Sequence, residues 1–264
     1  MQWSEAIKEH VQALKKVEPT PGLVQRILSL IDLTSLNDND TNDSIAKLFE
    51  KARTDYGHVA AVCIYPQFIG LARTEFANSP IKTATVANFP SGDMSLENVL
   101  IEINDALEQG AQEIDVVFPY LRYLAGERQY AHNFVVACKA ACGDEVTLKV
   151  ILETGALADS AIIADASYDA LAAGADFIKT STGKISEGAT LEAATTMLLV
   201  IRHITPQLKR SVGIKISGGV REFAQAVQYV QLADDILGRE WVAPATFRIG
   251  ASKLVDEMLS HVKE

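Results

Sequence analysis

Apolar positions along this chain follow two spacings that take turns. Short runs rich in Val, Ile and Thr, bounded by Gly, Pro, Asn or Asp, predict strands over residues 30–34, 59–64, 81–87, 113–118, 146–153, 176–180, 212–216 and 246–249. Between them the apolar residues recur at helical spacing, near residues 42–53, 67–77, 94–109, 128–141, 159–173, 190–203, 221–236 and 252–262. Eight strands, each followed by a helix, require a parallel sheet covered on its faces. A doubly wound open sheet competes with a closed (β/α)8 (TIM) barrel, and the count of eight favours the barrel. No linker is long enough to divide the alternation, so the 264 residues are expected to form a single barrel domain.

Residues 1–22 stand outside this alternation. Trp3, Ile7, Val11 and Leu14 repeat at helical spacing, and Glu18-Pro-Thr-Pro-Gly22 then breaks the chain. The segment reads as an additional N-terminal helix that either closes the bottom of the barrel or contributes to a homodimer. Its charged residues, Glu5, Lys8, Glu9, Lys15 and Lys16, exclude a signal peptide. Overall, 24 Lys plus Arg stand against 34 Asp plus Glu, a net charge of −10 and a pI near 5.0. That balance argues against a nucleic-acid binder and against polybasic membrane attachment. No apolar run approaches the ~18 residues that span a bilayer. The three cysteines, Cys63, Cys138 and Cys142, are too few for a disulfide framework and are expected to be buried free thiols in a reducing, cytoplasmic compartment.

Charge inside the predicted strands changes the picture. Gly110-Ala-Gln-Glu-Ile-Asp115 and Gly174-Ala-Asp-Phe-Ile-Lys179 share one form, a Gly that ends a helix and an Ala-x-x-Ile that enters a strand. Asp115 and Lys179 therefore fall at the same offset on the fourth and sixth strands, and inward residues of alternate barrel strands share a layer. Lys149, Lys179 and Lys215 lie in apolar runs on the fifth, sixth and seventh strands. One such lysine would mark an edge strand or snorkel to water. Three in a row do not fit that reading, since a barrel has no edge and its interior rarely accepts an unpaired ammonium. Bringing a lysine from ~10.4 to ~7 takes about 4.6 kcal/mol against the cation. A second ammonium ~5 Å away supplies roughly 3 kcal/mol at an effective dielectric near 20, and desolvation adds the rest. Paired lysines beside an inward Asp are thus the makings of a Schiff-base site, with one amine as nucleophile, the other depressing it, and the carboxylate shuttling protons.

Anion-binding signals gather after the last three strands. They are Thr180-Ser-Thr-Gly-Lys184, Ser217-Gly-Gly219 and Gly250-Ala-Ser252. Each alone is a turn signal, but loops after neighbouring strands at the end of a barrel form its recurrent phosphate site. Gly183-Lys184 followed by Ile185 is no Walker loop. Asp38-Asn-Asp-Thr-Asn-Asp43 lacks the sixth-position Gly of an EF-hand and has Phe49 in place of the bidentate Glu, so it reads as a polar loop in which Asp40 or Thr41 caps a helix. The five histidines avoid the C-terminal strand ends, which disfavours a metal-dependent mechanism.

The strings Ile31-Asp-Leu-Thr34, Cys63-Ile-Tyr-Pro66, Ile114-Asp-Val-Val-Phe-Pro-Tyr120, Leu148-Lys-Val-Ile151, Phe177-Ile-Lys-Thr-Ser-Thr-Gly-Lys184 and Val212-Gly-Ile-Lys215 with Gly218-Gly-Val-Arg221 resemble the deoxyribose-phosphate aldolase family, in order, from about residue 24 to about residue 255. The resemblance implies a class I aldolase that reversibly cleaves 2-deoxy-D-ribose 5-phosphate to acetaldehyde and D-glyceraldehyde 3-phosphate, without metal or cofactor. It implies that Lys179 forms the Schiff base, that Lys215 depresses it, that Asp115 is the acid/base group working through a water, and that Asp32 belongs to the polar relay. Gly183, Lys184, Gly218, Gly219, Gly250 and Ser252 would hold the phosphate. Two departures stand out. Lys253 follows Ser252 where many members have a second Ser, and the chain ends at His261-Val-Lys-Glu264 without the terminal Tyr some members carry. A phosphosugar isomerase or a non-catalytic phosphosugar-binding barrel would share the phosphate loops but have no use for paired buried lysines.

Overall fold

The structure is a computed structural model that describes residues 3–261; residues 1–2 and the terminal 262–264 lie outside it. Helix α1 (Trp3–Gln12) and helix α2 (Pro21–Leu28) precede strand β1 (Ile31–Ser35). Helix α3 (Asn42–Glu50) follows, then a small antiparallel hairpin of β2 (Arg53–Thr54) and β3 (Gly57–His58). The remaining strands are β4 (Ala61–Ile64), β5 (Lys82–Ala87), β6 (Glu113–Val117), β7 (Thr147–Ile151), β8 (Phe177–Lys179), β9 (Gly213–Ser217) and β10 (Phe247–Ala251). Their covering helices are α4 (Ile69–Glu75), α5 (Leu96–Gln109), α6 (Tyr120–Leu124), α7 (Arg128–Cys142), α8 (Thr154–Leu157), α9 (Ser160–Ala172), α10 (Leu191–Leu208), α11 (Phe223–Leu237) and α12 (Leu254–Ser260). Among the described residues, β1 and β4 to β10 pair in parallel and close on themselves, a (β/α)8 barrel.

Local chemistry sets the element boundaries. Thr41, not Asp40, caps α3, in a capping box with Ser44. Ser95, Asp159 and Thr190 cap α5, α9 and α10 with their side chains. The expected break holds at residues 18–20, which lie between α1 and α2, but Thr20 caps α2 and Pro21 opens it, a second helix that the spacing of residues 1–22 does not predict. Pro costs nothing at the first helical position, where its missing N–H would have had no partner. The second strand begins at Ala61 rather than at residue 59, because the chain before it is occupied by the β2–β3 hairpin and Val59 N–H donates to the Ala52 carbonyl. Helix α1 packs on α10 and α11, outside the barrel wall.

Paired residues in adjacent strands point to the same side of a sheet. Ile114, Val116, Leu148, Val150, Ile178, Ile214, Ile216, Phe247 and Ile249 face outward into one large apolar layer beneath the helices. A separate small cluster, Leu36, Ala61, Cys63, Ala84 and Val86, fills the β4–β5 side of the interior. The opposite side of the interior is charged.

Candidate active site

Strand registers define the interior as three layers of four. In a barrel of this shear the layer climbs one residue per strand, so inward residues of alternate strands share a level when their registers differ by two. Asp115 pairs with Lys149, Lys149 with Phe177, and Lys179 lies two residues beyond Phe177. Carried around the barrel, this places Cys63, Asp115, Lys179 and Gly250 in the upper layer and Asp32, Ala84, Lys149 and Lys215 in the middle one. Ala61, Glu113, Phe177 and Arg248 form the lowest. The shared level of Asp115 and Lys179 arises as the repeated Gly-Ala motif anticipates. Gly110 and Gly174 both adopt positive φ, 107° and 111°, where they end α5 and α9 and turn the chain into β6 and β8.

Side-chain contacts follow the layers. Lys179 Nζ and Lys215 Nζ both donate to Asp115 Oδ2, at 2.8 and 2.7 Å, and Lys149 Nζ donates to Asp115 Oδ1 at 2.8 Å. Lys215 also meets Asp32 Oδ2 at 2.6 Å, and Lys149 meets Glu113 at 2.6 Å and Asp32 at 3.6 Å. Arg248 bridges Asp32 at 2.7 Å and Glu113 at 2.9 Å. All seven groups are buried. The small inward residues make this possible. A Cβ on Gly250 would stand 3.1 Å from Lys215 Cε, and one on Gly213 would run into the Phe177 ring.

The three lysines differ in how many carboxylates they face: three within 4 Å for Lys149, two for Lys215, one for Lys179. Burial lowers the affinity of each for its proton. For Lys149 and Lys215 the carboxylates outweigh burial and raise them, Lys215 well above the ordinary lysine value. For Lys179 burial wins over Asp115, with Lys215 adding to the depression, and the amine is lowered. Burial is therefore a larger cause than Lys215, reversing the weights assumed from sequence. Burial pushes the Asp115 carboxyl up, but Lys149, Lys179 and Lys215 outweigh it and hold it well below the usual carboxylate range. Lys215, Arg248 and Lys149 do the same for Asp32. Cys63, whose Sγ lies 4.0 Å from Asp115 Oδ2, is pushed up by burial and stays a thiol.

Above the upper layer opens a cleft of about 880 Å³, lined by Lys179, Lys215, Gly183, Lys184, Gly218, Gly219, Gly250 and Ser252 together with the loop after β1. The structure thus brings the six expected phosphate residues, Gly183, Lys184, Gly218, Gly219, Gly250 and Ser252, to one mouth, with Thr180 and Ser181 buried behind it and Asp115 and Asp32 buried beneath it. Lys184 Nζ donates to the Leu36 carbonyl at 2.5 Å, tying the loop after β8 to the loop after β1. Thr180 Oγ1 donates to the Ser217 carbonyl and accepts from its N–H, each at 2.8 Å, so the ends of β8 and β9 are pinned side by side. Glu153 accepts from the Thr182 hydroxyl at 2.5 Å and holds left-handed backbone, φ 56°, costing an ordinary residue ~1–3 kcal/mol. Arg221 and Lys253 also line the cleft.

Sequence reasoning missed Glu113, Arg248 and Glu153, and noticed Lys149 without assigning it to the site. The period-two rule could have found Glu113, two residues before Asp115, and Arg248 as a lone charge in an apolar strand. Nothing local marks Glu153. Among the described residues no cluster of three or more His, Cys, Asp or Glu is placed to hold a metal, and no helix is long and apolar enough to cross a membrane. Cys63, Cys138 and Cys142 are buried free thiols.

The chain resembles known proteins over its whole length. Residues 26–239 match the DeoC/LacD family aldolase profile. A Coccidioides immitis protein provisionally named a deoxyribose-phosphate aldolase is 27% identical and superposes with a TM-score of 0.77, covering 98% of this chain and 97% of its own. A Toxoplasma gondii protein, provisionally named likewise, is 26% identical with a TM-score of 0.82, covering 92% of this chain and 93% of its own. The tetrameric deoxyribose phosphate aldolase of Aeropyrum pernix is 26% identical with a TM-score of 0.69, covering 98% of both chains.

Proposed function

We propose, since the chain belongs to the DeoC/LacD family of aldolases, that it is a class I enzyme cleaving 2-deoxy-D-ribose 5-phosphate through a Schiff base on Lys179. The observation that carries this reading is the contrast among three buried lysines on one carboxylate: Lys179, lowered by burial, is the one that both reaches the cleft and faces a single carboxylate. A neutral amine is the nucleophilic form.

The chemistry then runs through residues already in place. The Lys179 amine adds to the C1 aldehyde, and the carbinolamine, protonated from water in the cleft, loses water to form the iminium. Asp115, held ionised by its lysines, is in the acceptor form and takes the C3 hydroxyl proton, directly or through a water. The C2–C3 bond breaks, its electron pair moves into the iminium to give an enamine, and D-glyceraldehyde 3-phosphate leaves. Asp115 returns its proton to C2, directly or through a water, and water adds to the resulting iminium, releasing acetaldehyde and a proton and restoring the Lys179 amine. Lys215 stays cationic between Asp32 and Asp115, helps hold Asp115 ionised as the proton acceptor and adds to the lowering of Lys179. The phosphate would lie against Gly183, Lys184, Gly218, Gly219, Gly250 and Ser252, where positive-φ glycines turn backbone toward the cleft. The three buried free thiols fit a reducing compartment such as the cytoplasm.

Incubation with 2-deoxy-D-ribose 5-phosphate and sodium borohydride should add one reduced adduct, on the peptide containing Lys179. Lys179→Arg should lose both the adduct and turnover. An adduct on Lys215 with Lys179 unmodified would overturn the assignment, and no adduct at all would favour an isomerase or a binding barrel.

A further inference from the structure

The lowest interior layer holds a charged pair where a barrel ordinarily stacks Val, Ile and Leu. Glu113 and Arg248 lie below the lysines, away from the cleft, and Arg248 is also 5.8 Å above the Phe177 ring centre. A buried ion pair is seldom better for stability than apolar side chains of the same volume. Stability therefore does not explain this layer, and its charge calls for another reason.

The network's charges supply one. Asp32, Glu113 and Asp115 face Lys149, Lys179, Lys215 and Arg248, three acids against four bases, every one buried. With all seven ionised this network carries one uncompensated positive charge, since the buried Glu153, held by Thr182, makes no ion pair with it, and burying an uncompensated charge is costly. The network becomes neutral when one base sheds its proton. Arg cannot do so, and Lys149 and Lys215 are each held by more than one carboxylate. Only Lys179 remains.

We infer that Glu113 and Arg248 are positioning residues that never touch substrate, and that through Asp32 and Lys149 they fix the charge balance which makes Lys179 the neutral amine. This rests on the Schiff-base reading and adds to it a cause for the nucleophile's state. Lys179 meets Asp115 from β6, on the same oxygen as Lys215 from β9 and Cys63 from β4, and Lys149 from β7 holds the other Asp115 oxygen. Asp32 from β1 and Arg248 from β10 reach Lys179 only through Lys215. Strand β5 contributes Ala84 and Val86 to the interior, and Lys184 and the buried Glu153 on Thr182 stand at the cleft above. The lowered proton affinity of Lys179 agrees with the count.

The test measures how the rate of borohydride trapping of acetaldehyde on Lys179 depends on pH, read by peptide mass spectrometry. Trapping rises as the amine loses its proton, so the midpoint reports Lys179. Glu113→Gln removes a negative charge and should move the midpoint down; Arg248→Met removes a positive one and should move it up. Each shift should be about one pH unit, the effect of a unit charge on the order of 10 Å away at an effective dielectric near 20. Arg248→Lys keeps the charge and should keep the midpoint. If Arg248→Met does not fold, Glu113→Gln and Arg248→Lys still decide. Unmoved midpoints, or shifts of the same sign, with Lys179 still trapped, would overturn the inference and leave the Schiff-base reading standing. A wild-type protein with no adduct on Lys179 at any pH would overturn both.

Discussion

Lys149, Lys179 and Lys215 carry one side chain and become different reagents through the company they keep. Desolvation acts on all three, so the decision falls to the carboxylates, and Lys179 has the fewest. At the far end of the cleft the residue scale offers a second case. Lys253 immediately precedes α12, is exposed, and lines the cleft with Lys184 and Arg221. A helix N-terminus disfavours a cation unless an anion sits there too. Lys253→Ser should therefore raise KM for 2-deoxy-D-ribose 5-phosphate roughly two- to fivefold, the yield of ~0.5–1 kcal/mol from an exposed charge pair. The KM for unphosphorylated 2-deoxyribose should not change. Steady-state kinetics on the two sugars check this, and equal effects would leave Lys253 a solvated surface residue.

Elements hold the mouth in shape by letting two loops touch. Gly188, after β8, lies against Gly218, after β9: a Cβ on Gly188 would stand 2.3 Å from the Gly218 carbonyl oxygen, and the neighbouring Ala189 N–H donates to that oxygen at 2.9 Å. Backbone cannot give way as a flexible side chain can. Gly188→Ala should push the loops apart and cost ~1–3 kcal/mol in local packing. Because the clash is at the cleft rather than in the core, kcat/KM should fall about tenfold or more while Tm drops by only a few degrees. A Tm loss without an activity loss would place the strain elsewhere. The same scale explains why α2 is not legible after the break at residues 18–20. A Pro-rich run reads as a stop, yet Pro21 starts α2, and its place in the helix follows from Thr20 before it and from Val24, Ile27 and Leu28 burying against the fold.

At the scale of the whole molecule, the interior network ties six of the eight barrel strands together by charge. Asp32 and Asp115 are both lowered on folding. Groups lowered in this way contribute stability above their unfolded value, near ~3.9, and that stability is lost as pH falls through the folded values below it. The protein should therefore lose Tm steeply below about pH 4. Asp115→Asn, less stable at pH 7, should show a shallower loss over the same range. Thermal melts between pH 7 and pH 2.5 test this; parallel curves would mean that Asp115 contributes nothing to acid unfolding. Helix α1, expected either to close the barrel or to join two copies, lies along α10 and α11.

Much of this was legible in the linear chain, for reasons of period and chemistry. Alternating spacings reveal eight strands and their helices because side chains repeat every two residues in one and every 3.6 in the other. The Gly-Ala repeat placed Asp115 and Lys179 at one level because a left-handed glycine fixes where a helix stops and a strand starts. The resemblance named the mouth residues, and the cleft collects them. What the chain in linear form could not reveal is the balance inside the barrel. Glu113 and Arg248 are 135 residues apart, and Lys149 finds Glu113, Asp115 and Asp32 only after closure and strand tilt set the layers. Which of three similar lysines has its proton affinity lowered is decided by burial and by the number of carboxylates around each. Both are properties of the closed barrel: they depend on where water is excluded and which charges are left facing one another there.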